Sequence, residues 1–252
     1  MVNFSLKDKV ALITGASRGI GESIASTLAE YGAHCILSSR KIDALKEVEN
    51  KIKSRGGKAD AIACHMGDLK QIDALISEIK TRFGKLNILV NNAAANPYFG
   101  FMVGVDEGIW DKTNDVNLKG PFFMIQKAVP LMEASGGGAI VNVSSINGIR
   151  PGFFQGVYSI TKAALINMTL GYAKELALKK IRVNALLPGL TDTKFSKALV
   201  DNEVIKNEAL RMIPLQRVAQ PDEMAGAVLY LVSDASSFTT GTCIACDGGF
   251  LA

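Results

Sequence analysis

Val10-Ala11-Leu12-Ile13-Thr14 runs directly into Gly15-Ala16-Ser17-Arg18-Gly19-Ile20-Gly21, and apolar residues then recur at Ile20, Ile24 and Leu28 before Gly32. A short apolar run of this kind reads as a strand buried on both faces, and the spacing after it as one face of a helix. Between them, three glycines sit where the chain must turn. Glycine lets the backbone approach a phosphate closely, and a helix start offers free N–H groups at a positive dipole end. The spacing is G-x-x-x-G-x-G rather than G-x-G-x-x-G, so its weight comes from its place after the first strand. Strand, phosphate-competent turn and helix together read as the opening unit of a dinucleotide-binding sheet.

The alternation continues along the chain. Strand-like runs fall at 33–38, 59–64, 86–91, 139–144, 182–187 and 242–246, and helical spacing fills the gaps, as at Leu45, Val48 and Ile52 before Gly56-Gly57. Strands alternating with helices predict a doubly wound α/β sheet with helices on both faces. No repeat or linker interrupts the pattern, so 1–252 reads as one domain. The stretch from Pro188 to Pro221 sets Phe195, Leu199, Leu210 and Met212 among charges. It reads as a helical insertion at about 190–215, either a lid over the strand ends or a plain helical hairpin.

Composition narrows the classes. With 28 Lys plus Arg against 24 Asp plus Glu, the net charge of +4 is too mild for a nucleic-acid footprint. A hydrophobic share of 48% excludes intrinsic disorder. A domain of this size buries about 70–75% of its unfolded surface without a staple. The longest apolar run, 224–232, falls far short of the roughly 20 residues of a membrane span. Lys7-Asp8-Lys9 before a strand is no secretory leader, and four Cys make no disulfide framework, so a cytoplasmic protein is expected. Cys243 and Cys246, three apart in a strand, face opposite ways and read as packing. His34 and His65 lack a second ligand at metal spacing, and no metal is expected. Lys51, Lys53, Arg55 and Lys58 read as a solvated helix face.

The second strand ends in Ser38-Ser39-Arg40-Lys41, and Arg18 lies in the glycine turn. An acidic residue at that strand end would hold the 2′-hydroxyl of NAD and repel a 2′-phosphate. Guanidinium groups instead suit a phosphate dianion, through planar charge-assisted contacts. NADP is favoured over NAD.

Farther on, Val141-Asn142-Val143-Ser144-Ser145 is followed by Tyr158-Ser159-Ile160-Thr161-Lys162. Tyr158 and Lys162, at i and i+4, share one helix face. A phenol with a pKa of about 10 is a poor base near neutrality. An ammonium one turn away, with the charge of an oxidised nicotinamide, favours the phenolate. Tyr158 then serves as general acid/base on a carbonyl or alcohol oxygen, Ser145 holds that oxygen, and Asn117 anchors a water leading from Lys162 to solvent.

Thr14-Gly15-Ala16-Ser17-Arg18-Gly19-Ile20-Gly21, Asn91-Asn92-Ala93-Ala94, Asn117, Ser145, Tyr158 with Lys162, and Pro188-Gly189 stand in the order of the short-chain dehydrogenase/reductase family, and the chain resembles its classical members over its whole length. The resemblance implies one Rossmann-type domain with a seven-stranded parallel sheet in a three-layer αβα sandwich, assembled as a homotetramer. It implies Asn117, Ser145, Tyr158 and Lys162 as the catalytic set, with Tyr158 and Lys162 also touching the cofactor. Around the phosphates it implies Gly15, Ser17, Arg18, Gly19, Ile20 and Gly21, and around the adenosine half Ser39, Arg40, His65, Met66, Asn91 and Ala93. Near the nicotinamide it implies Pro188, Gly189, Thr191 and Thr193. Ala94 stands where the family has Gly, Cys64-His65-Met66 where it often has Asp, and Thr191 where an aliphatic residue is common. Ser38-Ser39-Arg40-Lys41, Cys64-His65-Met66-Gly67 and the stretch 92–100 look like the NADP-dependent carbonyl and retinal reductase branch.

The leading expectation is therefore an NADP(H)-dependent reductase of ketones or aldehydes. Phe153, Phe154 and Val157, with Phe195 and Met212, would wall an apolar pocket or form a subunit interface. A 3-oxoacyl carrier-protein reductase is the alternative; 132–138 offers no base to an acidic carrier, although Lys174 is a partial counterweight. A non-catalytic cofactor-binding module is the second alternative, disfavoured because Tyr158 and Lys162 are both kept.

Overall fold

The computed structural model describes residues 2–201 and 203–252. Seven strands form one all-parallel sheet: β1 (Val10–Thr14), β2 (His34–Ser39), β3 (Lys58–Ala63), β4 (Ile88–Asn91), β5 (Gly138–Val143), β6 (Ile181–Pro188) and β7 (Cys243–Cys246). The spatial order is β3-β2-β1-β4-β5-β6-β7, doubly wound with its switch point between β1 and β4. Strand ends differ from the sequence reading by up to two residues, because the parallel partner, not local composition, decides where a ladder stops.

Alternation within β1 sorts the core. Ala11 and Ile13 join a cluster with Ile24, Leu28, Leu45 and Val228. These come from α1 (Gly19–Glu30), α2 (Ile42–Ser54) and α9 (Asp222–Val232). Val10 and Leu12 face the other cluster, with Ile72, Ile79, Met124 and Leu176. Those belong to α3 (Leu69–Phe83), α5 (Gly120–Ala134) and α6 (Gly156–Leu176), so the sheet lies between two helical layers. Cys243 packs on a small third cluster and Cys246 on the first, on opposite faces as expected.

Two details position the site. The helix α4 (Glu107–Asn114) passes into α5 through a wide π turn at Asp115–Lys119 that carries Asn117. The insertion after β6 is helical, with α7 (Lys197–Val200) and α8 (Glu203–Arg211). It is tied back by a bridge between Thr191 and Ala219. Among the described residues no helix is long and apolar enough to cross a membrane, and no cluster of potential metal ligands occurs. His34 instead pairs with Asp60, which also takes Arg82. The solvated face is partly paired: Lys51 reaches Glu22, and Lys53 and Lys46 hold the buried carboxylate of Glu49.

Candidate active site

The glycine turn forms as it does because nothing larger than hydrogen fits it. A Cβ at Gly21 would stand 2.3 Å from the Gly15 carbonyl, and one at Gly15, whose φ is +68°, 2.8 Å from Asn92 Nδ2. Thr14 and Asn92, which the sequence reading quotes without a role, latch this turn to the end of β4. The Thr14 hydroxyl oxygen accepts from the N–H groups of Asn92 and Ala93, each at 3.0 Å, and Asn92 Nδ2 donates to the Thr14 carbonyl at 2.9 Å. A hydroxyl on the last residue of a central strand, just before the turn, is the signal for such a latch. Arg18 precedes the first turn of α1, and both it and Arg40 are exposed.

Among the described residues, three buried polar atoms have no protein partner: Ser38 Oγ, Ser39 Oγ and Asn91 Oδ1. They lie at the ends of β2 and β4, on either side of the turn after β1. A cradle closed to any Cβ beside orphaned acceptors fits a dinucleotide with its phosphates on the α1 N-terminus and its adenosine half toward β2. Other expected contacts are more constrained. The His65 ring accepts from the Gly67 N–H at 3.0 Å, and the Met66 carbonyl lies so close to Gly120 that a Cβ there would stand 2.1 Å away. Asp68, past the position where the family often has Asp, caps α3 by accepting from Lys70 and Gln71. On the far side, Gly189 packs against Asp247, and the Thr191 hydroxyl is turned into its own loop, donating to the Gly189 carbonyl at 3.1 Å. Thr193 places its methyl 3.2 Å from where a Cβ of Gly19 would be, so the start of the insertion sits over the glycine turn.

Ser145, Tyr158 and Lys162 come together. Ser145 follows β5, where its oxygen accepts from the Asn147 N–H at 3.1 Å, and its hydroxyl faces the Tyr158 phenol closely enough to favour the phenolate. Lys162 lies one turn along α6, 1% exposed, with Nζ 5.5 Å from the Tyr158 ring centroid and donating to the Val143 carbonyl at 2.8 Å. Ser144, quoted in the sequence reading without a role, donates to the Lys162 carbonyl at 2.8 Å. Asn117 is fully buried and spends both amide protons inside the protein, on Ala95 O and Thr161 Oγ1. Asn117 therefore has no amide proton left to donate, and its Oδ1 already accepts from the Ala95 N–H at 2.7 Å.

The electrostatics differ in one respect from the sequence reading, which has the Lys162 ammonium drawing the phenol pKa down. Burial pushes Tyr158 up to about 12, with the neighbouring Ser145 hydroxyl as a smaller opposing influence. Burial also pushes Lys162 down to about 7. The chain alone thus holds a protonated phenol above an amine that titrates near neutrality, because neither charge is welcome where water is excluded.

At the mouth, Phe195 brings its ring 5.7 Å from that of Tyr158. Phe153 and Phe154 lie with ring centroids 4.1 Å apart, tilted by 41°, and meet Phe99 and Phe101 edge-on at 4.9–5.9 Å. Val157 is buried, whereas Met212 lies exposed past α8.

A fold with its switch point at the glycine turn, and a tyrosine–lysine pair at the strand ends, defines a nucleotide-dependent oxidoreductase of the Rossmann type. A family model described as enoyl-(acyl carrier protein) reductase matches residues 15–251. The chain is 38% identical to dehydrogenase/reductase SDR family member 4 of Oryctolagus cuniculus over 244 residues, 97% of this chain and 94% of that protein. A gluconate 5-dehydrogenase from Burkholderia cenocepacia, solved with NADP and tartrate, superposes with a TM-score of 0.95 at 32% identity, covering 99% of this chain and 98% of that one. A 3-oxoacyl (acyl-carrier-protein) reductase from Agrobacterium tumefaciens with NADP bound gives 0.91 at 34% identity, covering 98% and 95%. The chain belongs to the short-chain dehydrogenase/reductase family.

Proposed function

We propose that the protein is an NADP(H)-dependent oxidoreductase that interconverts a ketone or aldehyde and an alcohol. The observation that carries this reading is the buried Tyr158 phenol, beside Ser145 and backed by the Lys162 amine at the carboxyl ends of the sheet. Tyr158 gives its proton to the substrate oxygen in reduction and takes it back in oxidation; Ser145 holds that oxygen in line. Lys162, anchored on Val143, and Asn117 connect the phenol to solvent. When bound, the dinucleotide gives or takes hydride at its nicotinamide, and its oxidised ring adds a positive charge that favours the phenolate.

Gly15, Ser17, Gly19, Ile20 and Gly21 would hold the pyrophosphate, and Pro188, Gly189, Thr191 and Thr193 the nicotinamide side. Asn91, Ala93 and the backbone of His65 and Met66 would flank the adenosine, while Ser39, Arg18 and Arg40 face a 2′-phosphate. The NADP in the two related structures supports that preference. The four phenylalanines and Phe195 support an apolar carbonyl substrate. The 3-oxoacyl reading is supported by the Agrobacterium relative, but a free apolar substrate fits this mouth better. As the resemblance implies, we take the assembly to be a homotetramer.

The test is NADPH consumption with a panel of carbonyls. Tyr158→Phe should lose at least about a hundredfold in rate, as expected on removing a general acid. Equal rates in variant and wild type would remove Tyr158 from the reaction.

A further inference from the structure

Thr161 is fully buried inside α6, between Tyr158 and Lys162 in sequence. Its hydroxyl donates to the main-chain carbonyl of Tyr158 at 2.7 Å and so spends its one proton. The oxygen is left as an acceptor, and Asn117 Nδ2 donates to it at 3.1 Å. This direction settles the Asn117 amide: the other amide proton goes to the Ala95 carbonyl at 2.8 Å, and Oδ1 accepts from the Ala95 N–H at 2.7 Å. Flipping the amide would set NH₂ against N–H and oxygen against oxygen. Asn117 thus joins the wide turn to the loop after β4, and Thr161 is the residue through which it holds the start of α6.

The residue before that start, Phe154, sits in left-handed backbone at φ +63°, and the N-cap, Gln155, makes no side-chain cap: its Oε1 accepts instead from Asn96 and Asn147. Ser159 ties the same turn to Gln155 and Gly152, and Thr161 is the contact that reaches from it to Asn117.

We propose that Thr161 is a positioning residue for carbonyl reduction, holding the turn of Tyr158 in register with Asn117. The inference rests on the oxidoreductase reading above. Thr161 touches neither substrate nor cofactor; it acts through Asn117 and the Tyr158 carbonyl.

Thr161→Val keeps the volume and removes the hydrogen bonds, whereas Thr161→Ser keeps them. In Thr161→Val, kcat should fall about tenfold, since a misplacement near 1 Å costs up to about a hundredfold. The Kd for NADPH should stay within about twofold, a change worth under ~0.5 kcal/mol. Thr161→Ser should restore kcat, and adding Thr161→Val to Asn117→Ala should cost little more than Asn117→Ala alone. Wild-type kcat in Thr161→Val, equal impairment in Thr161→Ser, or losses that multiply in the double variant would each overturn the proposal. If Thr161→Val does not fold, Thr161→Ala is read in the same way. Wild-type turnover is measured first, because its absence strikes the oxidoreductase reading itself. Thr161 is then judged by ultraviolet titration of the phenol, taken as a difference from Tyr158→Phe. The Thr161→Val midpoint should move away from the shared midpoint of wild type and Thr161→Ser, and three coincident curves would overturn the role.

Discussion

Lys162 carries its amine into a place that excludes water, and its ionisation follows from that. Its pKa in the folded chain, pushed down to about 7, lies below the ordinary lysine value, so between pH 7 and about 10.5 the unfolded chain binds more protons than the folded one. Stability rises with pH across that window. Tyr158, pushed up to about 12, works the other way above pH 10, where only the unfolded chain has released its proton. In the absence of dinucleotide, the stability of wild type relative to Lys162→Met should therefore climb between pH 7 and 10. Urea unfolding at pH 7 and 9.5 checks this, and an unchanged difference would contradict the buried amine. The pairing of Tyr158 with Lys162 was legible from their i, i+4 spacing. The direction in which their neighbourhood shifts them was not, because burial is a property of the packed molecule.

Among elements, β6 and α9 are joined by one side chain. Arg182, on the amino end of β6, donates to the carbonyls of Leu231, Ser233 and Thr239 and to the Ser236 hydroxyl, at 2.8–3.2 Å. The Leu231 carbonyl belongs to the last turn of α9, where a cation complements the negative dipole end. Burial lowers the guanidinium pKa from its ordinary value. Replacing Arg182 by Met should destabilise by about 2–3 kcal/mol, since it strips the charged donor from the carbonyl of the fully buried Leu231, and a buried group left unsatisfied costs roughly 1–3 kcal/mol. For a chain of this size that lowers Tm by about 4–12 °C. Calorimetry reads the loss, and NADPH affinity should be unchanged, because the dinucleotide turn lies at the opposite, carboxyl edge of the sheet. Strands and helices were readable from their periods, as in the alternation of β1. The wide turn at Asn117 was not, since a π turn has the same composition as the helices it joins.

At the scale of the whole molecule, a ligand that binds only the folded state stabilises all of it. NADPH at a hundredfold excess over Kd should add about 2.7 kcal/mol, raising Tm by roughly 5–11 °C, and NADH at equal concentration less. Arg40→Asp should reverse that order, by placing a carboxylate where the 2′-phosphate would lie. A thermal scan of both proteins with both dinucleotides checks this without turnover; an unaltered order would refute the role given to Arg40. Such a shift tests the dinucleotide site separately from the chemistry at Tyr158.

By itself the amino-acid sequence determined the parallel sheet and the place of the glycine turn, and it named the residues proposed for the reacting centre. Those features rest on local rules: period, glycine geometry and residue spacing along one helix. Only the tertiary structure decided that Thr14 and Asn92 latch the turn, that Thr161 links Asn117 to Tyr158, and that Phe99 and Phe101 close over Phe153 and Phe154. Each of these contacts joins segments distant along the chain, and hydrogen-bond direction and burial exist only once those segments meet.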